Sequence, residues 1–480
     1  MGKKSLEPCI KLSLKRDNLQ DVVDKAIDWT LMHGISMRSP ESYKKGRVEI
    51  VPFTLLPSSF PKKEFEKGKN IQKLLNELMH KVAYDHEFLK NSLQSVIEAD
   101  DFTAQLYKIY ETVSMEGFSQ DISLGLFRSD YLLHFGTTIK QVEFNTIASS
   151  FAGLAPIISQ YHRYILEELG HKQEVNNIPN NNTTVGFSTG LVHAWELYNN
   201  KEAAILFVVE NGVTYNISDQ RFHEFEIRRL SPEIKVIRKS LVSLKSCLNL
   251  GPNKELLLDD DVIAVVYFRA GYGPETYSTD CEWSTRLLIE RSCAIKCPSI
   301  QYHLAGSKKV QQALAVPGAL NRFFDDPICI KQIQDVFTGL YSLDLNSDGE
   351  ANIERAIKEH NNYVLKPQRE GGGNNLYNKD IKNKLLEIRK SKERTAWILM
   401  DRISPGTQNN YLITPNITSQ TLKSSEVVSE LGIYGVIIGN KNKIMHNEEV
   451  GHVLRSKLAS TNEGGIVAGF GVLDSPYLIA

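Results

Sequence analysis

The chain has 480 residues, of which 41% are apolar and 24% are charged, and its 56 lysines and arginines nearly balance 57 aspartates and glutamates. This composition excludes a disordered chain, which lacks the apolar surface needed to offset the entropy of ordering, and the length allows about three domains. A net charge of −1 gives no overall field for nucleic acid, so we expect no nucleic-acid partner and favour a nucleotide held by a local cluster.

The N-terminal part is predicted to be mainly helical. Apolar residues recur at helical spacing over residues 17–33 and, in long amphipathic patterns, across residues 61–115. Strands are predicted at residues 122–126 and 139–145. No apolar run reaches the ~20 residues of a membrane-spanning helix, and the first residues lack the apolar core of a signal peptide. We therefore expect no membrane partner and a cytoplasmic location.

Residues 203–308 alternate between strand and helix patterns. Strands are predicted at 203–209, 234–238 and 262–268, with a helix over 222–230. This alternation is typical of a mostly parallel sheet, and we interpret the segment as a separable substrate-binding domain.

The last third has a different pattern. Strands are predicted at residues 363–367, 397–403 and 427–438, a helix at 379–390, and a hairpin in which residues 442–457 pair with the preceding strand around Asn440-Lys441-Asn442. Strands grouped around few helices indicate an α+β element with an antiparallel sheet.

Six cysteines are scattered along the chain without a C-x-x-C motif, so zinc-ribbon and thioredoxin-like proteins are disfavoured. Cys293 and Cys297 lie four residues apart in an apolar stretch that we expect to be helical. Two buried free thiols are the simplest interpretation.

The predicted strand at 139–145 alternates apolar and polar residues. Val142 and Phe144 face one side, and Glu143 and Asn145 the other, because strand side chains alternate with period two. A carboxylate and an amide oxygen on one face can share a hard cation such as Mg²⁺. On this stretch alone, a half-buried strand with a polar outer face is the stronger interpretation.

The segment after the strand at 363–367 is less ordinary. Gly371, Gly372 and Gly373 expose backbone N–H groups that can form an anion-binding nest, Lys366 can reach a phosphate, and Glu370 can bind its metal. The loop is neither a Walker A motif nor a kinase glycine-rich loop. A flexible turn is the alternative, but the flanking charged residues favour phosphate binding.

Two further segments carry candidate binding residues. Near the C-terminus, Arg455 and Lys457 precede the glycine-rich residues 463–471, where small side chains let a backbone approach a ligand. Arg269 ends an apolar strand, where ligands of open α/β sheets bind, and its guanidinium can hold a carboxylate through two hydrogen bonds. Each segment alone could be a solvated loop.

Together these segments indicate ATP-driven activation of a carboxylic acid. No Ser-His-Asp set suggests hydrolysis, and no dinucleotide fingerprint suggests hydride transfer.

The same segments resemble the eukaryotic-type glutathione synthetases of the ATP-grasp superfamily over nearly the whole chain. The most specific is the run KPQREGGGNNLY at residues 366–377. The others, in order, are residues 51–57, 142–150, 265–272, 304–312 and 463–469.

The resemblance implies ATP-dependent joining of γ-glutamylcysteine to glycine through an acyl phosphate, with Mg²⁺, in a homodimer. It also implies a mixed α/β and α+β fold: an ATP-grasp body with an inserted parallel α/β substrate-binding domain and a Gly-rich lid. We expect residues 1–202 and 309–480 to form the ligase body and its lid loops, and residues 203–308 the insert.

The resemblance assigns roles to individual residues. The metal ligands would be Glu143, Asn145 and Glu370. The ATP site would comprise Glu143, Lys308, Lys366, Pro367, Gln368, Arg369, Glu370, Gly371, Gly372, Gly373, Asn374, Asn375, Tyr377, Met400, Asp401, Arg402, Ile403, Glu430, Lys457 and Glu463. The peptide and glycine site would comprise Arg128, Ala148, Ser149, Ser150, Asn216, Gln220, Arg269, Ala270, Gly271, Tyr272, Arg455, Ile466 and Val467. Catalytic roles would fall to Arg128, Ser150, Gly371, Gly372 and Arg455.

The sequence departs from the family pattern in three places. Thr214 lies where an acidic substrate contact is expected, and Ala148 where a serine can occur. Ile466-Val467-Ala468 replaces the usual Val-Ala-Ala at the acceptor pocket, which bears on the choice of acceptor. A ligase for another amine, such as β-alanine, is therefore one alternative. A catalytically inactive ATP-binding scaffold is another, although the metal and phosphate residues that it would lack are present.

Overall fold

The computed structural model describes residues 5–11, 16–39, 43–415, 417, 422–466, 469 and 471–480, with the backbone alone for residues 16–18. Its α-helices are α1 (Arg16–Met32), α2 (Lys62–Ala83), α3 (His86–Ile97), α4 (Asp101–Glu116), α5 (Ala155–Glu168), α6 (Thr183–Tyr198), α7 (Ile217–Leu230), α8 (Leu241–Leu244), α9 (Asp280–Arg291), α10 (Ile300–Ala305), α11 (Lys308–Leu314), α12 (Pro327–Val336), α13 (Ser347–Lys358) and α14 (Lys379–Ile388).

Its strands are β1 (Ser36–Met37), β2 (Glu49–Ile50), β3 (Phe53–Thr54), β4 (Ser58–Pro61), β5 (Ser123–His134), β6 (Thr138–Asn145), β7 (Ala204–Val208), β8 (Val236–Lys239), β9 (Leu248–Leu250), β10 (Leu256–Leu258), β11 (Asp261–Phe268), β12 (Ile295–Cys297), β13 (Leu340–Ser342), β14 (Tyr363–Pro367), β15 (Leu376–Tyr377), β16 (Trp397–Asp401), β17 (Gln408–Ile413), β18 (Ser424–Asn440), β19 (Lys443–Leu458), β20 (Val472–Asp474) and β21 (Pro476–Ile479).

A seven-stranded sheet forms the centre of the molecule, in the order β17-β3-β20-β19-β18-β5-β6, and β17 also pairs with β18. The long hairpin of β18 and β19 turns at residues 441–442, as predicted. Helix α2 packs on one face through Leu75, Leu78 and Met79, and α5 and α6 cover the other face. Most residues of the central strands β5 and β18 are thereby buried.

The predicted parallel sheet is confirmed for residues 204–297. Strands β8, β7, β11 and β12 are parallel, while β10 and β9 extend the sheet in antiparallel fashion. Every residue of β7 is buried, as expected where helices cover both faces of a parallel sheet. Helix α7 begins at Ile217, five residues before the predicted start.

The last third contains the predicted antiparallel sheet. Its order is β13-β16-β14-β15, and α13 and α14 pack on it around a separate small core that includes Leu343, Ile353, Leu365 and Leu385. Strand β16 ends at Asp401, two residues earlier than predicted.

The helical prediction for the two cysteines is wrong. Cys293 follows the end of α9, and Cys297 lies in β12, where it pairs with Tyr267. Pro298 follows directly and favours an extended residue before it, which outweighs the four-residue spacing. Only Cys297 is fully buried, and both thiols are free.

No helix among the described residues is both long and apolar enough to cross a membrane.

Candidate active site

A cluster of charged side chains lies where β5 and β6 run side by side. The register pairs Arg128 with Asn145 and Asp130 with Glu143, so the four side chains share one face. Asp130 receives a bidentate ion pair from Arg128, at 2.6 Å from Nε and 2.8 Å from Nη2. The Asn145 amide nitrogen donates to Asp130 Oδ2 at 2.9 Å and to Glu143 Oε1 at 3.3 Å.

The β18–β19 hairpin adds a second arginine and a third carboxylate. Its register places Glu430 opposite Arg455, and the Arg455 guanidinium contacts both Glu430 and Asp130, the latter at 3.0 Å. Two guanidinium groups and three carboxylates therefore meet on the central sheet.

Two lysines face Glu143 from other elements. Lys308, at the start of α11, donates to Glu370 at 2.8 Å and lies 4.0 Å from Glu143, while Lys366 in β14 donates to the Val142 carbonyl at 2.9 Å. Burial alone would raise the pKa of Glu143, but the charges of Lys308, Lys366 and the two arginines outweigh burial and lower it to about 2. Glu143 is thus ionised throughout the physiological range.

The other groups of this cluster titrate differently. Burial raises the pKa of Glu370, and Lys308 only partly offsets it. Burial lowers the pKa of Lys366. For Lys308, the carboxylates of Glu370 and Glu143 outweigh burial and raise the pKa.

The three predicted metal ligands lie together and offer oxygen donors only. Glu143 and Asn145 are on one strand face, and Lys308 links Glu143 to Glu370. The described residues hold no group of three or more His, Cys, Asp or Glu side chains suited to a metal. Two carboxylates and an amide oxygen nevertheless fit Mg²⁺, which is usually held by one or two carboxylates together with substrate phosphates.

The two glycine-rich segments meet above this cluster. The Glu463 carboxylate accepts hydrogen bonds from the backbone N–H groups of Gly373 and Asn375, each at 3.1 Å. Gly372 lies so close to Gly464 that an added Cβ would be 3.1 Å from its carbonyl oxygen. Gly371, Gly372 and Gly373 all have φ between 76° and 93°, a region that favours glycine.

The remaining predicted ATP residues border the same region. Arg402 donates to Asn378 at 2.8 Å and to Asn462 at 3.1 Å, and its guanidinium lies 5.9 Å from the centre of the Tyr377 ring. Lys457 donates to the Asn462 carbonyl. Met400 and Ile403 are buried.

Some side chains in the predicted set are engaged elsewhere. Arg369 forms an ion pair with Asp100 at 2.6 Å, Gln368 accepts from the Lys309 backbone at 3.1 Å, and Asp401 accepts from the Tyr341 hydroxyl at 3.1 Å. Pro367 pairs with Trp397 within the small sheet. The structure therefore directs the side chains of Arg369 and Asp401 to partners outside the lysine and carboxylate cluster, whereas Gln368 lines the same cleft as Asn145 and Glu370.

Arg269 lies between the parallel sheet and the turn after β6. It is 2% exposed and donates to the Ser149 carbonyl at 3.1 Å, to Ser150 Oγ at 2.9 Å and to Asp219 at 3.3 Å. The same turn is bound from the other side, because Arg128 and Tyr434 both donate to the Ser150 carbonyl, at 3.2 Å and 2.6 Å. Ala148, in this turn, has φ of 51°.

Two further predicted peptide contacts, Asn216 and Gln220, lie just before and in α7. Gln220 is fully buried and is held by Asn216 at 2.9 Å and Arg238 at 2.7 Å, and Thr214 is also buried. Ala270 is buried, and Gly271 has φ of 92°. Tyr272 approaches Gly371 and borders a cleft of about 510 Å³ that Asn145 and Glu370 also line. Ile466 is buried, while Val467 lies outside the described residues.

Two buried carboxylates of the site were missed by sequence reasoning. Asp130 and Asp219 are 0% and 1% exposed. Asp219 accepts from the backbone N–H groups of Phe151 and Gly153 at 2.9 and 2.8 Å, as well as from Arg269. The Arg-x-Asp spacing of Arg128 and Asp130 in a strand was an available signal for the first. No local signal pointed to the second.

A mixed α/β fold with glycine-rich loops beside a cluster of lysines, arginines and carboxylates is typical of ATP-dependent ligases. The family model for the ATP-binding domain of eukaryotic glutathione synthase matches residues 16–478, and the chain belongs to this family.

Individual relatives agree over nearly their whole length. The glutathione synthetase of Xenopus laevis is 41% identical over 467 residues, which cover 96% of this chain and 97% of that protein. The chloroplastic glutathione synthetase of Arabidopsis thaliana is 39% identical over 471 residues, 96% of this chain and 86% of that protein. The solved structure of a glutathione synthetase-like effector from Globodera pallida, in apo form, has a TM-score of 0.78 and 26% identity, and covers 97% of this chain and 98% of that chain.

Proposed function

We propose that the protein is a glutathione synthase that joins γ-glutamylcysteine to glycine with ATP, and releases ADP and phosphate. Membership of the eukaryotic glutathione synthase family over residues 16–478 carries this assignment. The charged cluster around Glu143 supports it, because phosphate and carboxylate chemistry requires cations and carboxylates within reach of each other.

The lysines and the glycine-rich loop would receive ATP. Lys366 and Lys308 supply positive charge next to Glu143, and the N–H groups of Gly371 and Gly372 can face phosphate oxygens. Mg²⁺, held by Glu143, Asn145 and Glu370, would neutralise charge on the transferred phosphate. Lys308 lies between the two carboxylates and would keep their repulsion low before the ligands bind.

The peptide carboxylate would become an acyl phosphate, which the glycine amine then attacks. Arg128, Arg455 and Asn145 all donate hydrogen bonds to Asp130 Oδ2, so the two guanidinium groups lie beside Asn145. Preorganised donors of this kind stabilise developing negative charge where water is excluded. Arg269 and the turn at residues 148–151 would hold the γ-glutamyl end of the peptide.

We further propose that the fold is an ATP-grasp body of residues 1–202 and 309–480, with residues 203–308 inserted to bind the peptide.

The glycine-rich loops would act as a lid. The bridge from Glu463 to Gly373 and Asn375 supports a lid in which the two loops move together and shield the acyl phosphate from water.

We also propose a homodimer, which the resemblance implies, and a cytoplasmic location. The Arabidopsis relative, by contrast, is a chloroplastic protein.

The assignment is tested by an assay of ADP release in which one component is omitted at a time. We expect release only when Mg²⁺, ATP, γ-glutamylcysteine and glycine are all present. Release of one ADP for each molecule of γ-glutamylcysteine, in the absence of glycine, would contradict an acyl phosphate that is shielded from water.

Glycine is the proposed acceptor, and Val467 is predicted to fill the acceptor pocket where the family usually has alanine. One methylene in such a pocket is worth roughly 1–3 kcal/mol of discrimination. Competition between glycine and β-alanine should therefore favour glycine, and Val467→Ala should weaken that preference. A preference of the unmodified protein for β-alanine would favour the alternative ligase.

A further inference from the structure

Asp130 is the point at which three side chains of the site meet. It lies in β5 and is 0% exposed. Its Oδ1 accepts from Arg128 Nε at 2.6 Å, and its Oδ2 accepts from Arg128 Nη2 at 2.8 Å, Arg455 Nη2 at 3.0 Å and Asn145 Nδ2 at 2.9 Å. Four N–H donors thus converge on one buried carboxylate.

We infer that Asp130 is a positioning residue: it fixes the guanidinium groups of Arg128 and Arg455 toward the peptide and glycine, and it turns the Asn145 amide oxygen toward the cation. The inference rests on the proposed function of these three residues.

The orientation of Asn145 follows from its neighbours. Asp130 Oδ2 and Glu143 Oε1 lie 2.9 and 3.3 Å from its amide nitrogen, and an ionised carboxylate only accepts hydrogen bonds. The NH₂ group must therefore face both carboxylates, because the opposite orientation would place a carbonyl oxygen against two negative charges. The Oδ1 atom consequently points away from Asp130 and is available as a metal ligand.

The two arginines need Asp130 because their charges repel. Burial and the charge of Arg128 act to lower the pKa of Arg455, but the carboxylates of Glu430, Asp130 and Glu143 outweigh them and raise it. Among the described residues, Arg455 donates hydrogen bonds only through Nη2. The shared carboxylate thus holds one edge of this guanidinium and leaves Nε and Nη1 for a ligand.

The neighbouring strand provides the space for this pair. Gly432 in β18 lies opposite Asp130, and a Cβ added there would be 2.8 Å from both Arg128 Cδ and Asp130 Oδ1. Any side chain at position 432 would displace the ion pair without changing a charged residue.

The first variant is Asp130→Asn, which keeps the shape of the side chain but removes its charge. One acceptor oxygen becomes an NH₂ group, so at least one of the four converging donors faces another donor. We expect the Kd for γ-glutamylcysteine, measured by calorimetry without nucleotide or metal, to rise at least about tenfold. Binding of Mn²⁺ in the presence of ADP, measured by electron paramagnetic resonance, should also weaken.

Two matched glycine-to-alanine variants provide a second test if Asp130→Asn does not fold. The Cβ of Gly432→Ala would clash with Arg128 and Asp130. The Cβ of Gly435→Ala, in the same strand, would instead clash with Asn76 Oδ1 on α2, at 2.3 Å. Both should lower the unfolding temperature, but only Gly432→Ala should weaken peptide binding.

Peptide Kd values within about twofold of the unmodified protein for folded Asp130→Asn, or equal Kd values for the two alanine variants, would overturn the positioning role. Failure of the unmodified protein to bind the peptide would instead count against the proposed function, so the two ideas fail separately.

Discussion

Four cations keep the central carboxylate of the site, Glu143, ionised. We expect this negative charge to be what Glu143 contributes to binding the metal. Burial would raise the pKa of Glu143, but Lys308, Lys366, Arg128 and Arg455 lower it to about 2. Replacing it by glutamine therefore removes a full negative charge at neutral pH.

Glu143→Gln and Glu370→Gln should each reduce kcat by roughly 10²-fold or more, as other single electrostatic contacts at reacting charges do. Circular dichroism should show an intact fold. Glu64→Gln is the matched control, because Glu64 is also buried and also contacts β6, through the Ile139 N–H at 2.9 Å, but lies outside the charged cluster. Near-normal turnover of either test variant would remove that residue from the metal site.

Arg269→Lys should not be a conservative change. Arg269 donates to the Ser149 carbonyl, Ser150 Oγ and Asp219 simultaneously, and a lysine ammonium cannot reproduce that planar fork. The apparent affinity for γ-glutamylcysteine should fall at least about tenfold, with little change for ATP. The control is Arg286→Lys, another buried arginine, paired with Glu290 at 2.8 Å. A selective loss of ATP affinity would show that Arg269 was assigned the wrong ligand.

At the scale of elements, sequence patterns predicted nine of the 21 strands in the described residues, including the longest, and one specific pairing between them, the β18–β19 hairpin. The period-two alternation of β6 correctly placed Glu143 and Asn145 on one face. The β18–β19 hairpin followed from local sequence, because its turn joins adjacent segments.

The contacts that bring the site residues together could not be predicted from local sequence patterns. Asp130 and Arg455 form a hydrogen bond although they are 325 residues apart in the sequence. Glu463 and Gly373, which are also hydrogen-bonded, are separated by 90 residues. These contacts depend on register and tertiary packing, which residue spacing does not encode. The arrangement around Arg269 was missed for the same reason, since Asp219 comes from a different element.

The bridge between the glycine-rich loops makes Gly372→Ala informative. Alanine disfavours the φ of 76° at this position, and its Cβ would lie 3.1 Å from the Gly464 carbonyl oxygen. We expect kcat to fall at least about tenfold with little change in unfolding temperature, because the loop is exposed. Gly170→Ala is the control: its φ is 84° and no atom lies within 4 Å of an added Cβ. Equal kcat values for both variants would contradict a lid function.

At the scale of the whole molecule, buried neutral histidines predict loss of stability in mild acid. Burial lowers the pKa of His162, His303 and His452 to about 3 and that of His223 to about 4. The unfolded chain binds these protons from about pH 6.5 downward and the folded chain does not. Stability is therefore complete above pH 6.5 and falls as the pH decreases toward 3, by about 1.4 kcal/mol per pH unit for each histidine.

Four carboxylates oppose this trend, because burial raises the pKa of Glu370, Asp401, Glu449 and Asp474. Burial raises the pKa of Asp474 to about 6, so its contribution is greatest at low pH and is lost as the pH rises toward 6. The unfolded chain begins to protonate the four histidines at about pH 6.5, above the pH at which the carboxylates take up protons. Their effect should dominate between pH 7 and pH 5, and the unfolding temperature should fall over this range. His452→Leu should flatten that dependence, because the His452 ring packs edge-on against Phe65 and its Nε2 has no partner among the described residues. An unchanged slope in this variant would contradict the assignment.

The most direct test of the whole account follows oxygen atoms. γ-Glutamylcysteine labelled with ¹⁸O in its cysteinyl carboxylate is supplied with ATP, Mg²⁺ and glycine, and the phosphate released is analysed by mass spectrometry. If the carboxylate is activated as an acyl phosphate, each turnover transfers one ¹⁸O atom to phosphate and leaves the other in the new amide bond. Phosphate without label, at the same yield of glutathione, would contradict activation of the peptide carboxylate by phosphorylation.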